Sequence, residues 1–196
     1  MNVPVQKIAG ILNLLLGIAL VCNVIILYLV PTAVFLGGGD GLLGGVRTYF
    51  ATILFPGEDD IVMAGIFGTA LMWFWCWAEF DAYQIVLMLF LVFSGFQTLC
   101  ILRQARRVVG TILAGNPFSA ENGDSLYRAA RNCFLIAAAA LVRVVFNVAY
   151  YRSAQPLASY NALFVPIFAM AGLLCLVMSA LFRQAAEMKA ENDLTI

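Results

Sequence analysis

Histidine is absent from the 196 residues. That removes the commonest general base, the usual switch near neutral pH and the most frequent metal ligand together. Charge is scarce: 11 basic and 11 acidic residues cancel, and charged side chains make up 11% of the chain. A soluble domain carries about 25%. So sparse and balanced a set gives no basic field for direct nucleic-acid binding. The cysteines (Cys22, Cys76, Cys100, Cys133 and Cys175) are odd in number, far apart and without a C-x-x-C pair. This argues against a disulfide framework or a zinc site and leaves them as small packing residues. Also missing are H-E-x-x-H, G-x-S-x-G and any acidic pair at ligand spacing inside an apolar run. No enzymatic activity, catalytic residue, metal or cofactor is therefore expected.

What the chain has is apolar surface: 63% of residues are hydrophobic, and the mean hydropathy is +0.94. So short a chain cannot bury that much without lipid as a second solvent. The expected fold class is all-α, an integral membrane helical bundle in one membrane domain, 1–196. Residues 8–30, 85–102, 133–151 and 163–182 are the candidate spans, since a hydrocarbon core of ~30 Å takes about 20 helical residues. The first is too long for a signal-peptide core and has no small-residue cleavage site, so it reads as a retained span. It is expected to stop at Pro31, and Pro166 is expected in the first turn or so of the fourth span.

Arg103, Arg106, Arg107, Arg128 and Arg131 lie between the second and third spans, and Arg183 and Lys189 follow the fourth. The positive-inside rule places loop 103–132 and tail 183–196 in the cytosol and segment 31–84 outside. With four spans both termini are cytosolic. Residues 61–77 are apolar but short and glycine-bearing. They fit a fifth span, a re-entrant or interfacial helix, or an extension of the second span. Tyr28, Tyr49, Phe50, Trp73, Trp75, Trp77, Tyr83, Tyr150, Tyr151 and Tyr160 all gather at the outer interface of the four-span arrangement, a level Tyr and Trp prefer. A fifth span would break that belt, so an outer interfacial or partly inserted helix is favoured. The tract Gly37-Gly38-Gly39-Asp40-Gly41 lacks phosphate-loop context and reads as a flexible outer loop.

Arg143 sits inside the third span, about eight residues or roughly 12 Å from its outer end. A charge there costs about 2.5–3.5 kcal/mol on insertion scales and calls for a partner or snorkelling. Asn132, Ile136, Ala139, Ala140, Arg143 and Asn147 share a helical face. The polar members want partners within the bundle, and the alanines permit close approach. Gln97 is another intramembrane polar group, and Asp81 or Glu79 is the expected ionic partner of Arg143.

At the cytosolic side, Gly115-Asn116-Pro117 is turn chemistry. Ser119 can cap a new helix, with Glu121 in its first turn. Phe118 is an aromatic ring offered at a turn. The fourth helix should run past Arg183 and give way near Asn192, and the apolar end Leu194-Thr195-Ile196 would gain by docking on the loop or on a partner.

The paired signature Asn116-Pro117-Phe118-Ser119-x-Glu121-Asn122 and Glu191-Asn192-Asp193-Leu194-Thr195-Ile196 resembles a bacterial inner-membrane family known as domain of unknown function 2975. The resemblance covers about the last 110 residues. It implies a four-helix membrane protein without an assigned enzymatic activity. For some members it implies a neighbouring small helix-turn-helix regulator as partner. The expected function is a regulatory or partner-binding membrane module, working through Phe118, Glu121, Asn122, Asp193, Leu194 and Ile196. The alternative is a small transporter or channel component using Arg143, Asn147, Gln97 and an outer carboxylate. With only four spans, that role would need a homo-oligomer.

Overall fold

The computed structural model of the chain describes residues 3–37, 70–71, 73–75 and 80–194. Among the described residues four long helices follow in order: α1 (Val3–Gly37), α2 (Ala82–Leu113), α3 (Ala120–Tyr151) and α4 (Tyr160–Leu194), with a short 3-10 turn at Gln155–Ala158 before α4. The described residues contain no strand. All four helices are long and apolar enough to cross a membrane. Their flanks leave Ile8, Leu14, Ile18, Ile26, Leu173, Leu174 and Val177 more than half exposed. Water would penalise such continuous apolar surface; lipid does not.

Two proline expectations are corrected. α1 does not stop at Pro31 but continues to Gly37. The proline withdraws one donor from the Leu27 carbonyl, whereas unwinding the helix would strip several backbone groups of partners. Pro166 lies well inside α4, which begins at Tyr160 rather than Leu163. There it costs a ladder bond instead of replacing an orphan donor.

The chain divides into two compact units, Met1–Asn23 with Ser94–Ile196, and Val24–Phe93. In the first, α3 and α4 pack antiparallel. The ring of Phe134 lies 3.0 Å from where a Cβ on Gly172 would stand, and the Ser179 carbonyl 3.1 Å from where one on Gly123 would stand. Two glycines thus let the backbones approach. α3 is the hub: 39% of its most apolar window is buried, against 11–17% for the other helices. Its buried stripe includes Asn132, Ile136, Ala140, Arg143 and Asn147, the face expected from the three-and-four spacing, with Ala139 half-buried beside it. In this unit Arg103, Arg106, Arg107, Arg128, Arg131 and Arg183 gather toward one end of the helices, the basic end. Tyr150, Tyr151 and Tyr160 stand exposed at the other.

In the second unit Val30, Val34, Phe80, Leu87 and Met88 form an apolar core, with Tyr83, Ile85, Leu91 and Val92 packed on it. Of segment 61–77, Ala70, Leu71 and Trp73–Trp75 are described and helical; the remainder lies outside the described residues. The Trp73 indole N–H donates to the Tyr28 carbonyl at 2.9 Å. Phe74 and Trp75 are largely exposed. Gly38–Gly45 and the acidic cluster Glu58-Asp59-Asp60 also lie outside the described residues.

Candidate functional site at the basic end

The connection between α2 and α3 is built from its sequence outward. Gly115 takes φ +83°, the left-handed region that glycine enters without strain. The Gly115 N–H bonds to the Ile112 carbonyl and the Asn116 N–H to the Thr111 carbonyl. Together these satisfy the last carbonyls of α2 as a Schellman motif. Ser119 occupies the N-cap position of α3 with extended backbone. Its side chain, however, makes no capping bond; that part of the capping expectation is corrected. The turn is closed instead by Asn122, only 1% exposed. Its amide donates to the Pro117 carbonyl at 2.8 Å, and its Oδ1 lies 2.7 Å from the Thr111 hydroxyl. Asn122 fastens the loop and is not itself open to a partner.

The basic half of α4 grips this connection. The Ser179 hydroxyl donates to the Gly123 carbonyl at 2.7 Å in a buried contact. Arg183 pairs with Asp124 at 2.8 Å and lies 5.8 Å from the centre of the Tyr127 ring. About half of each ion-pair side chain is exposed. The bridge therefore contributes no more than about 1 kcal/mol and serves mainly to orient. The Phe118 and Phe182 rings sit 6.4 Å apart. Further along, the Lys189 ammonium donates to Asn116 Oδ1 at 3.1 Å.

Length explains how the tail reaches the loop. The 35 residues of α4 rise roughly 52 Å, against a hydrocarbon core of about 30 Å, so the helix carries its last turns well beyond that core. The loop half of the sequence signature thus meets the stretch of α4 that leads into the terminal half. Phe118 remains 53% exposed, and Glu121, Glu191 and Asn192 are also exposed. Asp193 and Leu194 complete the α4 backbone, and Ile196 lies outside the described residues. Arg183, Tyr127, Ser179 and Gly123 were not among the expected site residues, because partners 56 or 59 positions away leave no trace in local spacing.

Beside this surface an open groove of about 470 Å³ runs between the end of α2 and the start of α3, with Arg107, Arg128 and Glu121 along its walls. A signal was available here. Arg107, Gly110, Thr111 and Ala114 fall on one helical face, as do Glu121, Asp124, Ser125 and Arg128.

The intramembrane polar residues are placed differently. Arg143, Asn147 and Gln97 are buried, at 7%, 5% and 8% exposure, and all three belong to the first unit. Asp81 is exposed, with its backbone N–H bonded to Gln84 Oε1 at 3.1 Å, and belongs to the second unit. Glu79 lies outside the described residues. Near the basic end, Arg106 Nε donates to Asn13 Oδ1 at 3.3 Å, which gives one polar group of the first span a partner on α2. The four described cysteines are free thiols. No group of three or more potential metal-ligating side chains occurs among the described residues.

Neither a curated protein nor a solved structure matches the chain. A family model does, described as a protein of unknown function (DUF2975), and it covers residues 76–196. That stretch takes in α2, α3, α4 and both halves of the loop–tail signature. The chain belongs to the DUF2975 family.

Proposed function

We propose that the basic end faces the cytosol of a bacterial inner membrane, and that the joined loop and tail form a docking surface through which the protein binds a small cytosolic regulator. The contact carrying this reading is the one between Lys189 and Asn116, which, with Arg183–Asp124, ties the loop half of the signature to the helix that leads into the terminal half. The exposed Phe118 ring supplies an aromatic anchor of the kind that dominates small interfaces. Glu121 adds an exposed carboxylate, Asn122 holds the loop from beneath, and Asp193, Leu194 and Ile196 are assigned to the same role from the sequence alone. The orientation follows from seven basic side chains on loop and tail, Arg103 through Lys189. This is a binding role, without a catalytic step.

The test is retention of a small helix-turn-helix regulator, the partner class that the family resemblance implies, on the full chain in detergent. Deleting Asp193–Ile196 should abolish retention, and unchanged retention after that deletion overturns the reading. A second reading, a small transporter or channel component, draws support from the burial of Arg143, Asn147 and Gln97. It requires Arg143→Ala to abolish flux while the chain still inserts, and it requires several copies to enclose a path.

A further inference from the structure

The groove between α2 and α3 carries two arginines, Arg107 and Arg128, that the docking surface does not use. Its α2 wall presents Arg107, Gly110 and Ala114, and its α3 wall Glu121, Asp124 and Arg128. α2 runs toward the turn and α3 away from it. Arg107 therefore stands about seven residues, roughly 10 Å, back from Ala114, and Arg128 stands the same distance on from Glu121. Both guanidiniums mark the groove's membrane-proximal end, Glu121 lies at its turn end, and Asp124 lies between them. Asp124 is engaged by Arg183. Arg107, Arg128 and Glu121 carry no hydrogen bond or ion pair among the described residues. The α2 wall is low, because Gly110 has open space where a Cβ would stand. The groove thus offers two unspent guanidiniums and one unspent carboxylate, in fixed order along the helix axes.

We propose that this groove binds an aminoethyl phosphate group, with the phosphate between Arg107 and Arg128 and the primary ammonium on Glu121. Guanidiniums match phosphate oxygens through paired N–H bonds. A primary ammonium donates hydrogen bonds to a carboxylate, whereas a quaternary one has no N–H to give. The order also fits a lipid headgroup: its phosphate lies where the helices leave the hydrocarbon, and its ammonium projects away from the membrane. A headgroup with no cation would leave Glu121 beside bare negative charge, so the groove discriminates by charge pattern. The same chemistry is available from phosphatidylethanolamine and from soluble phosphoethanolamine.

The test uses the purified full chain with no regulator present, so its outcome is independent of the docking proposal although Glu121 serves both. Nanodiscs of phosphatidylcholine holding equal phosphatidylethanolamine and phosphatidylglycerol are released in native mass spectrometry, and the lipids retained are counted. The ethanolamine lipid should be enriched about tenfold over the glycerol lipid. Arg107→Gln combined with Arg128→Gln should lose the enrichment, and Glu121→Gln should bring it to parity. Arg103→Gln, an exposed arginine off the groove, should keep it. Because all the altered side chains are exposed, helical content by circular dichroism should hold throughout. In a second arm, phosphoethanolamine is titrated into pure phosphatidylcholine nanodiscs and followed by phosphorus NMR. Binding there that Glu121→Gln removes supports the same chemistry and adds a soluble source; binding in the lipid arm alone assigns the site to lipid. Equal retention of both lipids with no phosphoethanolamine binding overturns the proposal, as does enrichment that survives both Glu121→Gln and the double arginine variant.

Discussion

Gly123→Ala should destabilise the protein, although alanine is ordinarily the better helix residue. In a helix interior the exchange gains up to about 1 kcal/mol from backbone entropy and propensity. At Gly123 the new Cβ would stand 2.6 Å from Arg183 Cγ and 3.1 Å from the Ser179 carbonyl oxygen. The Arg183 stem can swing aside, but doing so releases its exposed ion pair with Asp124, a loss of no more than about 1 kcal/mol. The carbonyl belongs to the α4 backbone, so relief there means separating two helices held by the Ser179–Gly123 hydrogen bond. Overpacking of this kind costs about 1–3 kcal/mol. The balance is a net loss of about 1 kcal/mol, or roughly 2–4 °C in Tm for a chain of this size. Gly110→Ala is the internal control: its Cβ meets nothing within 4 Å, so it should raise Tm by a comparable amount. Arg183→Ala in the Gly123→Ala background removes the closer collision and should recover part of the loss, a coupling readable from the double-mutant cycle. Thermal unfolding in detergent, followed by helical circular dichroism, measures all five proteins: the parent chain, the two glycine variants, Arg183→Ala and the double variant. If both glycine exchanges raise Tm equally and Arg183→Ala shows no coupling, the close approach of α3 and α4 at this level is refuted.

Three further substitutions test the same pair of helices and the turn between α2 and α3. Asn122→Ala removes a buried amide that closes the turn through Thr111 and Pro117. It should cost about 1–3 kcal/mol and raise amide exchange across 114–119, while an unchanged exchange profile would speak against that tie. Arg152 closes α3 in the left-handed region, at φ 47° and ψ 37°, where a side chain is strained. Arg152→Gly should therefore stabilise by about 1 kcal/mol, and a lowered Tm would contradict this. Lys189→Ala removes the bond to Asn116 and should loosen the last turns of α4 without altering membrane insertion; faster exchange confined to residues beyond about 186 is the expected signature.

Much of this fold is written locally, because lipid simplifies the code. Four apolar runs gave four helices, and the buried face of α3 follows from residues at steps of three and four around Arg143. The Gly115-Asn116-Pro117 turn is equally plain, since one left-handed residue and one proline leave few options. Pro31 misled for a physical reason: rules for proline are drawn from water, where an unwound turn finds solvent, and lipid removes that alternative. The site was legible only in halves. Phe118, Glu121 and the terminal segment stand out as residues with no evident packing task. That Lys189 reaches Asn116, or that Ser179 meets Gly123, depends on the length and register of α4 against α3. No local spacing encodes either. Asn122 shows the same limit from the other side, since a polar residue in a signature looked like surface and proved to be the clasp under it.

The central claim is that loop and tail act as one docking surface. A photo-crosslinking residue at position 118 and, separately, at position 194, with Tyr160 at the opposite end as control, tests it in living cells. The account predicts that positions 118 and 194 capture the same small cytosolic regulator and that position 160 captures nothing of the kind. Capture of different proteins from 118 and 194, or of the regulator from position 160, would contradict it.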